Sequence, residues 1–338
     1  MSQRSQRKRD HLLLAEKLYQ KRANSLDRVF LLRPALPETK YDLAAIQTTF
    51  LGKKVAAPFF IEAMTGGSKQ SLAINRQLGK IADKQQIALA LGSASILEKE
   101  PAQLKSYSVA RQEDPGGVLL ANINAATSSK MAKKIVNWLH ADALQIHVNV
   151  MQEIVMPEGD HNFHWLNNLI NIRQEVTVPI IIKEVGFGLD QGSIKKLHHE
   201  GFEYFDLGGS GGTNFVEIEN QRTALDYSYL QRTGLPLVIA AVMARQESVN
   251  FIASGGIRNP LDVLKSLVLG ADFVGVANVF LHSLQKEDLD LNQQISLWKK
   301  QLALLLAAYG ANNLSECSQI KYSFDIELNN QIKQLVNK

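Results

Sequence analysis

Cys317 is the only cysteine in 338 residues. No internal disulfide can form, nothing demands an oxidising compartment, and metal clusters built on thiolates are excluded. Long apolar runs are missing as well. The nearest approach to the roughly 20 residues of a membrane span is Leu235 to Ala244, which Pro236 interrupts and Arg245 soon follows. The first ten residues are basic and polar, and the run behind them, Leu12 to Ala15, is far shorter than the roughly 7–15 residues of a signal-peptide core. The expectation is a soluble, cytoplasmic protein with no membrane partner. An excess of one charge is also lacking: 37 Lys and Arg against 33 Asp and Glu leave +4, too little in a chain this long to argue for nucleic acid. What surplus exists is local. Arg4, Arg7, Lys8 and Arg9 lie within six positions, a placement suited to one small anion or to a solvated, mobile arm.

What is abundant is core material. With 45% hydrophobic and 21% charged residues, the chain can bury a large interior, and a barrel of roughly 250 residues with extensions fits its length. Eight short apolar runs rich in aliphatic or β-branched residues read as strands: Phe59–Ala63, Ile87–Leu91, Val118–Asn122, Ala143–His147, Pro179–Glu184, Glu203–Leu207, Asn250–Ser254 and Asp272–Val276. Amphipathic stretches such as Ser71–Lys84, Lys130–His140, Asp190–His199 and Pro260–Leu269 lie between them, the alternation that parallel sheets require. Eight repeats favour an α/β fold closed as a (β/α)8 TIM barrel over an open doubly wound sheet. Asp10–Ala23 is expected as a helix capped by Asp10, and Arg33–Val55 as an extended lead-in. Asn292–Tyr309 and Asp325–Val336 are expected as covering helices. The expected organisation is one domain, with an N-terminal extension over 1–55, the barrel over 56–290 and C-terminal helices over 291–338.

Chemistry in such a barrel sits where strands end at their carboxyl side, and uncommon residues collect there after every strand. Met64-Thr65-Gly66-Gly67, Gly92-Ser93-Ala94-Ser95, Asn122, His147 to Glu153, Lys183-Glu184, Gly208 to Phe215, Ser254 to Asn259 and Gly275 to Asn278 mark the eight exits. Glycines there bring backbone N–H groups close to a ligand, and the last loops of such barrels often cradle a phosphate, although Gly-Gly pairs also serve simple turns. Two facing Gly-rich loops with Thr65, Ser93 and Asn122 as neutral partners suit flavin mononucleotide. Lys183, at a buried strand end, is costly unless it faces an anion or an electron-rich ring edge, and strand alternation disfavours pairing with Glu184. His147 and Asn149 share one strand face, with Gln152 and Glu153 following. One carboxylate is a poor site for bare Mg2+, but Glu153 with a diphosphate and waters would suffice.

Six segments together carry a family resemblance: Arg7-Lys8-x-x-His11, Ala63-Met64-Thr65-Gly66-Gly67, Gln145-Ile146-His147-x-Asn149-x-x-Gln152-Glu153, Lys183-Glu184-Val185-Gly186-Phe187-Gly188, Gly211-Gly212-Thr213-Asn214-Phe215 and Ala253-Ser254-Gly255-Gly256-Ile257-Arg258. Over about residues 7 to 310 the chain resembles the type 2 isopentenyl-diphosphate isomerases. The resemblance implies an FMN- and Mg2+-dependent isomerase of isopentenyl diphosphate that needs NADPH to reduce the flavin. It assigns Gln152 to the reacting carbons, Glu153 to Mg2+, and Arg7, Lys8, His11, Ser93, Ser95, His147 and Asn149 to the substrate. Around FMN it places Met64, Thr65, Gly66, Ser93, Asn122, Lys183, Gly208, Thr213, Gly255, Gly256, Arg258, Ala277 and Asn278. A homo-oligomer, tetramer or octamer, is expected.

The chain departs from the family pattern in places. Ala94-Ser95 replaces a usual Gln-Arg, removing one cation near the substrate, Gly208 stands where many members have serine, and Gly159-Asp160-His161-Asn162-Phe163 replaces Gly-Asp-Arg-Asp-Phe. An FMN-dependent 2-hydroxy-acid oxidase on the same barrel is the rival expectation, using His147 to abstract a proton. A purine-nucleotide dehydrogenase is disfavoured because Cys317 lies beyond the barrel, and a non-catalytic phosphate-binding barrel would need no His147, Gln152 and Glu153 together.

Overall fold

The computed structural model describes residues 3–20, 22–285 and 290–336. Eight parallel strands close a barrel: β4 (Phe59–Ile61), β5 (Leu89–Ala90), β6 (Leu119–Asn124), β7 (Ala143–His147), β8 (Ile180–Lys183), β9 (Tyr204–Asp206), β10 (Asn250–Ala253) and β11 (Phe273–Val276), with β11 pairing back onto β4. Each expected run contributes one strand, and closure rules out the open sheet. Helices follow the strands, among them Lys69–Gln85, Ser129–Leu139, Gln191–His199 and Pro260–Val268.

Strand alternation sorts the barrel interior into layers. Phe60, Leu120, Ala143, Ile181, Ile252 and Phe273 form one apolar cluster at the amino-terminal end. Below it, the stretch expected to be merely extended folds into a hairpin of β2 (Thr48–Phe50) and β3 (Lys53–Val55). Its turn residues Leu51 and Gly52 both have positive φ, 51° and 82°, the geometry that matches strand twist in two-residue hairpins. Phe50 and Val55 thereby plug the barrel, Phe50 stacking on Phe273 with centroids 4.0 Å apart.

At the next inward positions of the barrel strands the side chains turn polar: Glu62, Asn122, Gln145, Lys183, Asp206 and Ser254 are all buried. This layer is the floor of the open end. The flanking segments reach it from outside. The N-terminal helix spans Gln3–Lys17, so Asp10 sits inside it and is not its cap. Its carboxylate instead accepts a hydrogen bond from Gln6 and lies 3.7 Å from Arg222. Helices Leu291–Ala308 and Ile326–Val336 cover the outside as expected. Between them β12 (Tyr322–Phe324) pairs antiparallel with β1 (Val29–Leu31), joining the two ends of the chain.

Candidate active site

Alternation along β7 aims Gln145 and His147 inward, and the register sets His147 beside Lys183 on β8 and Asn124 on β6. Lys183 faces Asp206 on the neighbouring β9, Nζ to Oδ2 3.3 Å. The anion expected for this lysine is therefore the chain's own. Glu184 contributes only its carbonyl to Lys183, and its carboxylate accepts N–H groups of Phe187 and Gly188. Burial works against the charge on Lys183, but Asp206 and Glu62 outweigh it and raise its pKa. Burial and the nearby Asp206 push Glu62 up to about 8, so its carboxyl is protonated at neutral pH. Burial, with Lys183, Lys8 and Arg7 close by, pushes His147 down to about 3, so the imidazole is neutral.

Above this floor the mouth divides into two adjoining cavities that share His11, Ala63, Met64, Lys183, Val185 and Phe215. The Gly-rich loops after β9 and β10 wall the first. Gly255 and Gly256 have φ of 92° and 101°, and a Cβ on Gly255 would fall 1.9 Å from the Gly209 carbonyl oxygen. Only glycine lets these backbones meet. The N–H groups of Gly212, Gly255 and Gly256 bond to no other described residue, and the buried side-chain oxygen of Asn278 has no partner among the described residues. The cations of this cavity are all engaged: Arg22 with Glu217, Lys183 with Asp206, and Arg258 with both Asp27 and Asp262. A phosphate here would be held by backbone N–H groups.

The second cavity is lined by Arg7, Lys8, Ser93, Ser95, Asn122, His147, Asn149, Gln152 and Glu153. The basic arm is folded, not free. Lys8 donates to the Ser93 carbonyl at 2.6 Å and sits over the Tyr107 ring. His11 pairs with Glu219 at 2.6 Å, and Arg7 lies 3.6 Å from Glu158, which Arg222 also holds. Burial lowers the His11 pKa although Glu219 opposes it. The side chains of Arg4 and Arg9 lie outside the described residues. Asn149 caps helix Val150–Val155, its Oδ1 accepting the Gln152 N–H. That bond turns the Asn149 NH2 towards Gln152 Oε1, 3.1 Å away, which leaves the Gln152 NH2 for the cavity. Glu153, raised by burial, accepts the Asp160 N–H. Among the described residues no three His, Cys, Asp or Glu gather to hold a metal.

All the site residues expected from the sequence line one cavity or the other. Gly208, Thr213, Gly255, Gly256, Arg258, Ala277 and Asn278 line the first, whereas Thr65, Gly66, Ser93 and Asn122 line the second, with Met64 in both. The guanidinium of Arg258 is spent on Asp27, Asp262 and the Arg22 carbonyl, so it ties the segment after the N-terminal helix to the loop after β10.

The model of the FMN-dependent dehydrogenase family matches residues 99–323. An isopentenyl-diphosphate delta-isomerase of Limosilactobacillus reuteri strain JCM 1112 is 39% identical, covering 98% of both chains. The chain belongs to the FMN-dependent isopentenyl-diphosphate delta-isomerases. Isomerases of this name from Latilactobacillus sakei strain 23K, 42% identical over 92% of this chain and 90% of that one, and from Listeria monocytogenes serotype 4a, 39% identical over 93% and 89%, agree. Solved structures of mandelate oxidase share the fold: one, a mutant with the monooxide FMN adduct, has a TM-score of 0.61 at 15% identity over 93% of this chain and 92% of that one. No helix among the described residues is long and apolar enough to cross a membrane.

Sequence reasoning about this isomerase missed Glu62, Gln145 and Asp206 as a set, together with Tyr107 and Glu219. The signal was available for the first three, since each is a polar side chain at an inward position of an apolar strand. A pH consequence follows from Glu62. Its folded pKa lies above the ordinary 4.5, so folded protein binds the extra proton, and the associated stability is complete below about pH 4.5 and lost as pH rises through about 8. Glu62→Gln removes that dependence. The difference in Tm between pH 5 and pH 8 is expected to shrink by a few °C, at roughly 2–4 °C per kcal/mol for a large domain. Calorimetry at the two pH values checks it, and an unchanged difference would show that Glu62 titrates normally.

Proposed function

We propose that the chain interconverts isopentenyl and dimethylallyl diphosphate on bound, reduced FMN, with Mg2+ on the diphosphate, NADPH as the external reductant and assembly as a homo-oligomer. The observation that carries this reading is the pair of adjoining cavities. One is walled by close-packed glycines with unused N–H groups, the other by Arg7, Lys8, His147, Gln152 and Glu153.

The unpartnered Asn278 oxygen and the glycine N–H groups fit a flavin with a phosphate. Glu153 offers one carboxylate, so Mg2+ would keep waters and take its remaining ligands from substrate oxygens. When bound, reduced FMN supplies a flat, electron-rich ring whose N–H groups exchange protons with an alkene.

Moving the double bond adds a proton at C4 and removes one from C2, through a tertiary cation or something close to it. Arg7 and Lys8 hold the diphosphate, which positions the alkene and discourages ionisation of the allylic product. The shared apolar wall of Met64, Val185 and Phe215 keeps water from the cationic carbons. Gln152, with its amide orientation set by Asn149, directs its NH2 at the reacting region and steers the proton. An amide is too weak a base to act alone.

The paired state of Arg22, Lys183 and Arg258 argues against the oxidase alternative, which needs a cation beside the ring for a substrate carboxylate. The test is anaerobic incubation with FMN, NADPH, Mg2+ and isopentenyl diphosphate. Dimethylallyl diphosphate is expected, and Gln152→Asn, which withdraws the amide by one methylene, is expected to lower turnover about 10²-fold with flavin retained. Full turnover in that variant would remove Gln152 from the mechanism, and substrate-dependent oxygen uptake with a 2-hydroxy acid would replace the reading.

A further inference from the structure

A chain of side-chain hydrogen bonds runs through the polar floor and ends on the His147 imidazole at the mouth. Glu62 Oε1 accepts the Ala63 N–H at 2.7 Å and a Gln145 Nε2–H at 3.0 Å. The Gln145 NH2 also lies 3.5 Å from Asp206 Oδ2. Asp206 is committed to acceptance, since its other oxygen takes the Ser254 hydroxyl and its Oδ2 faces the Lys183 ammonium. Two acceptors at one end of Gln145 fix its amide with nitrogen towards the acids, so Oε1 turns to Asn122 and accepts its Nδ2–H at 3.2 Å. That bond fixes the Asn122 amide in turn. Its Oδ1 is left 2.9 Å from His147 Nδ1, and an amide oxygen can only accept.

We propose that Glu62 and Asp206 are positioning residues that act through Gln145 and Asn122 to hold His147 of the free protein in the Nδ1–H tautomer, with Nε2 as the ring position left to a ligand. Each link admits one donor and one acceptor, so orientation passes from the carboxyl pair to the imidazole without slack. Nε2 carries the lone pair, the Asn122 bond reaches the ring at Nδ1, and His147 lines the substrate cavity. The neutral state of the ring, imposed by burial beside Lys183, Lys8 and Arg7, makes the tautomer a real choice, because an imidazolium would carry both protons. A ligand reaching His147 in the free protein therefore meets an acceptor. An O–H or N–H donor suits it directly, whereas an anionic oxygen can use it only if Nε2 gains a proton during binding.

This inference deepens the proposed isomerase site and rests on His147 being part of it, but its test does not use turnover. The protein is labelled with 15N in histidine, and long-range 1H–15N correlation spectra are recorded at pH 7.5 without flavin or substrate. His147 is assigned by difference from His147→Gln. Wild type is expected to show Nδ1 protonated and Nε2 bare. Asn122→Asp, which keeps an acceptor, is expected to retain the protonated Nδ1, while Asn122→Leu is expected to let the proton move to Nε2 or exchange between the two nitrogens. Gln145→Leu provides a second break, one link further away, with the same expected outcome, and the other histidines report whether the fold survives.

A wild-type spectrum with Nε2 protonated overturns the proposal. So does an unchanged Nδ1–H tautomer in folded Asn122→Leu. A confirmed tautomer in a protein that fails to isomerise the substrate would leave the relay standing and sink the functional reading instead.

Discussion

Gly255→Ala is expected to yield a folded protein that purifies without yellow pigment and binds FMN at least about 10²-fold more weakly. The backbone at Gly255 has φ of 92°, a region where a residue with a Cβ is strained by of order 1–3 kcal/mol. Strain is the smaller part. The added methyl would sit 1.9 Å from the Gly209 carbonyl oxygen and 2.6 Å from its nitrogen, and both are backbone atoms that no rotamer change can move aside. The loops after β9 and β10 must separate, and they carry the N–H groups that would take the phosphate. About two to three kcal/mol of lost fit corresponds to the stated factor, at roughly 1.4 kcal/mol per tenfold change. Fluorescence titration of FMN into the apoprotein measures it. Gly116→Ala is the control, because a Cβ there meets nothing within 4 Å. If both variants bind FMN like the wild type, the Gly-rich loops are turns and not a cradle.

Lys183→Met is expected to destabilise the apoprotein by about 3–5 kcal/mol at pH 8 and by much less at pH 5. The magnitude at pH 8 is that of breaking a buried pair by removing one partner. Lys183 is the cation that faces Asp206 and lies close to Glu62. Without it, two buried carboxyls face one another, and each disfavours ionisation of the other. The Glu62 carboxyl, already raised above its unfolded value, loses the cation that favoured its ionisation, so the folded state holds a proton that the unfolded state releases as pH increases. Stability therefore falls with rising pH, and acid pH relieves the defect by keeping Glu62 neutral. The double variant Lys183→Met/Asp206→Asn, which removes charge from both sides, is expected to recover much of the loss at pH 8. Denaturant melts at both pH values decide the matter. An equal loss at pH 5 and pH 8 would mean that Lys183 matters through packing of its long side chain alone.

How much is legible in the sequence follows from what each feature depends on. Ala143–His147 can be read to the residue because an apolar run bounded by polar punctuation is a local property. The glycine loops and the cluster from His147 to Glu153 are legible for the same reason. Lys183 declares its need for a partner, but naming Asp206 requires the register between β8 and β9, a non-local fact that composition does not carry. Glu62 and Gln145 sit in or beside expected strands, yet their meaning emerges only when closure brings β4, β7 and β9 to one axis. Asp10 misleads because Asp before an apolar stretch is a common helix start, whereas here the helix continues upstream, and Lys8 and His11 bind surfaces supplied by Ser93 and Glu219. The pairing of β1 with β12 leaves no trace, since a three-residue strand has too few positions to show a period.

Asn24 closes the loop walls from outside: its side chain donates to the Gly256 carbonyl 232 positions away, and Ser25 accepts the Val238 N–H. During vectorial synthesis the segment that roofs the mouth is made before the barrel and has no seat until the seventh barrel strand and its loop emerge. Ring closures of that length are slow to form. The ligand-binding end is thus among the last parts of the molecule to become competent, and a nascent chain stalled before about residue 256 holds most of its strands with its entrance still unroofed.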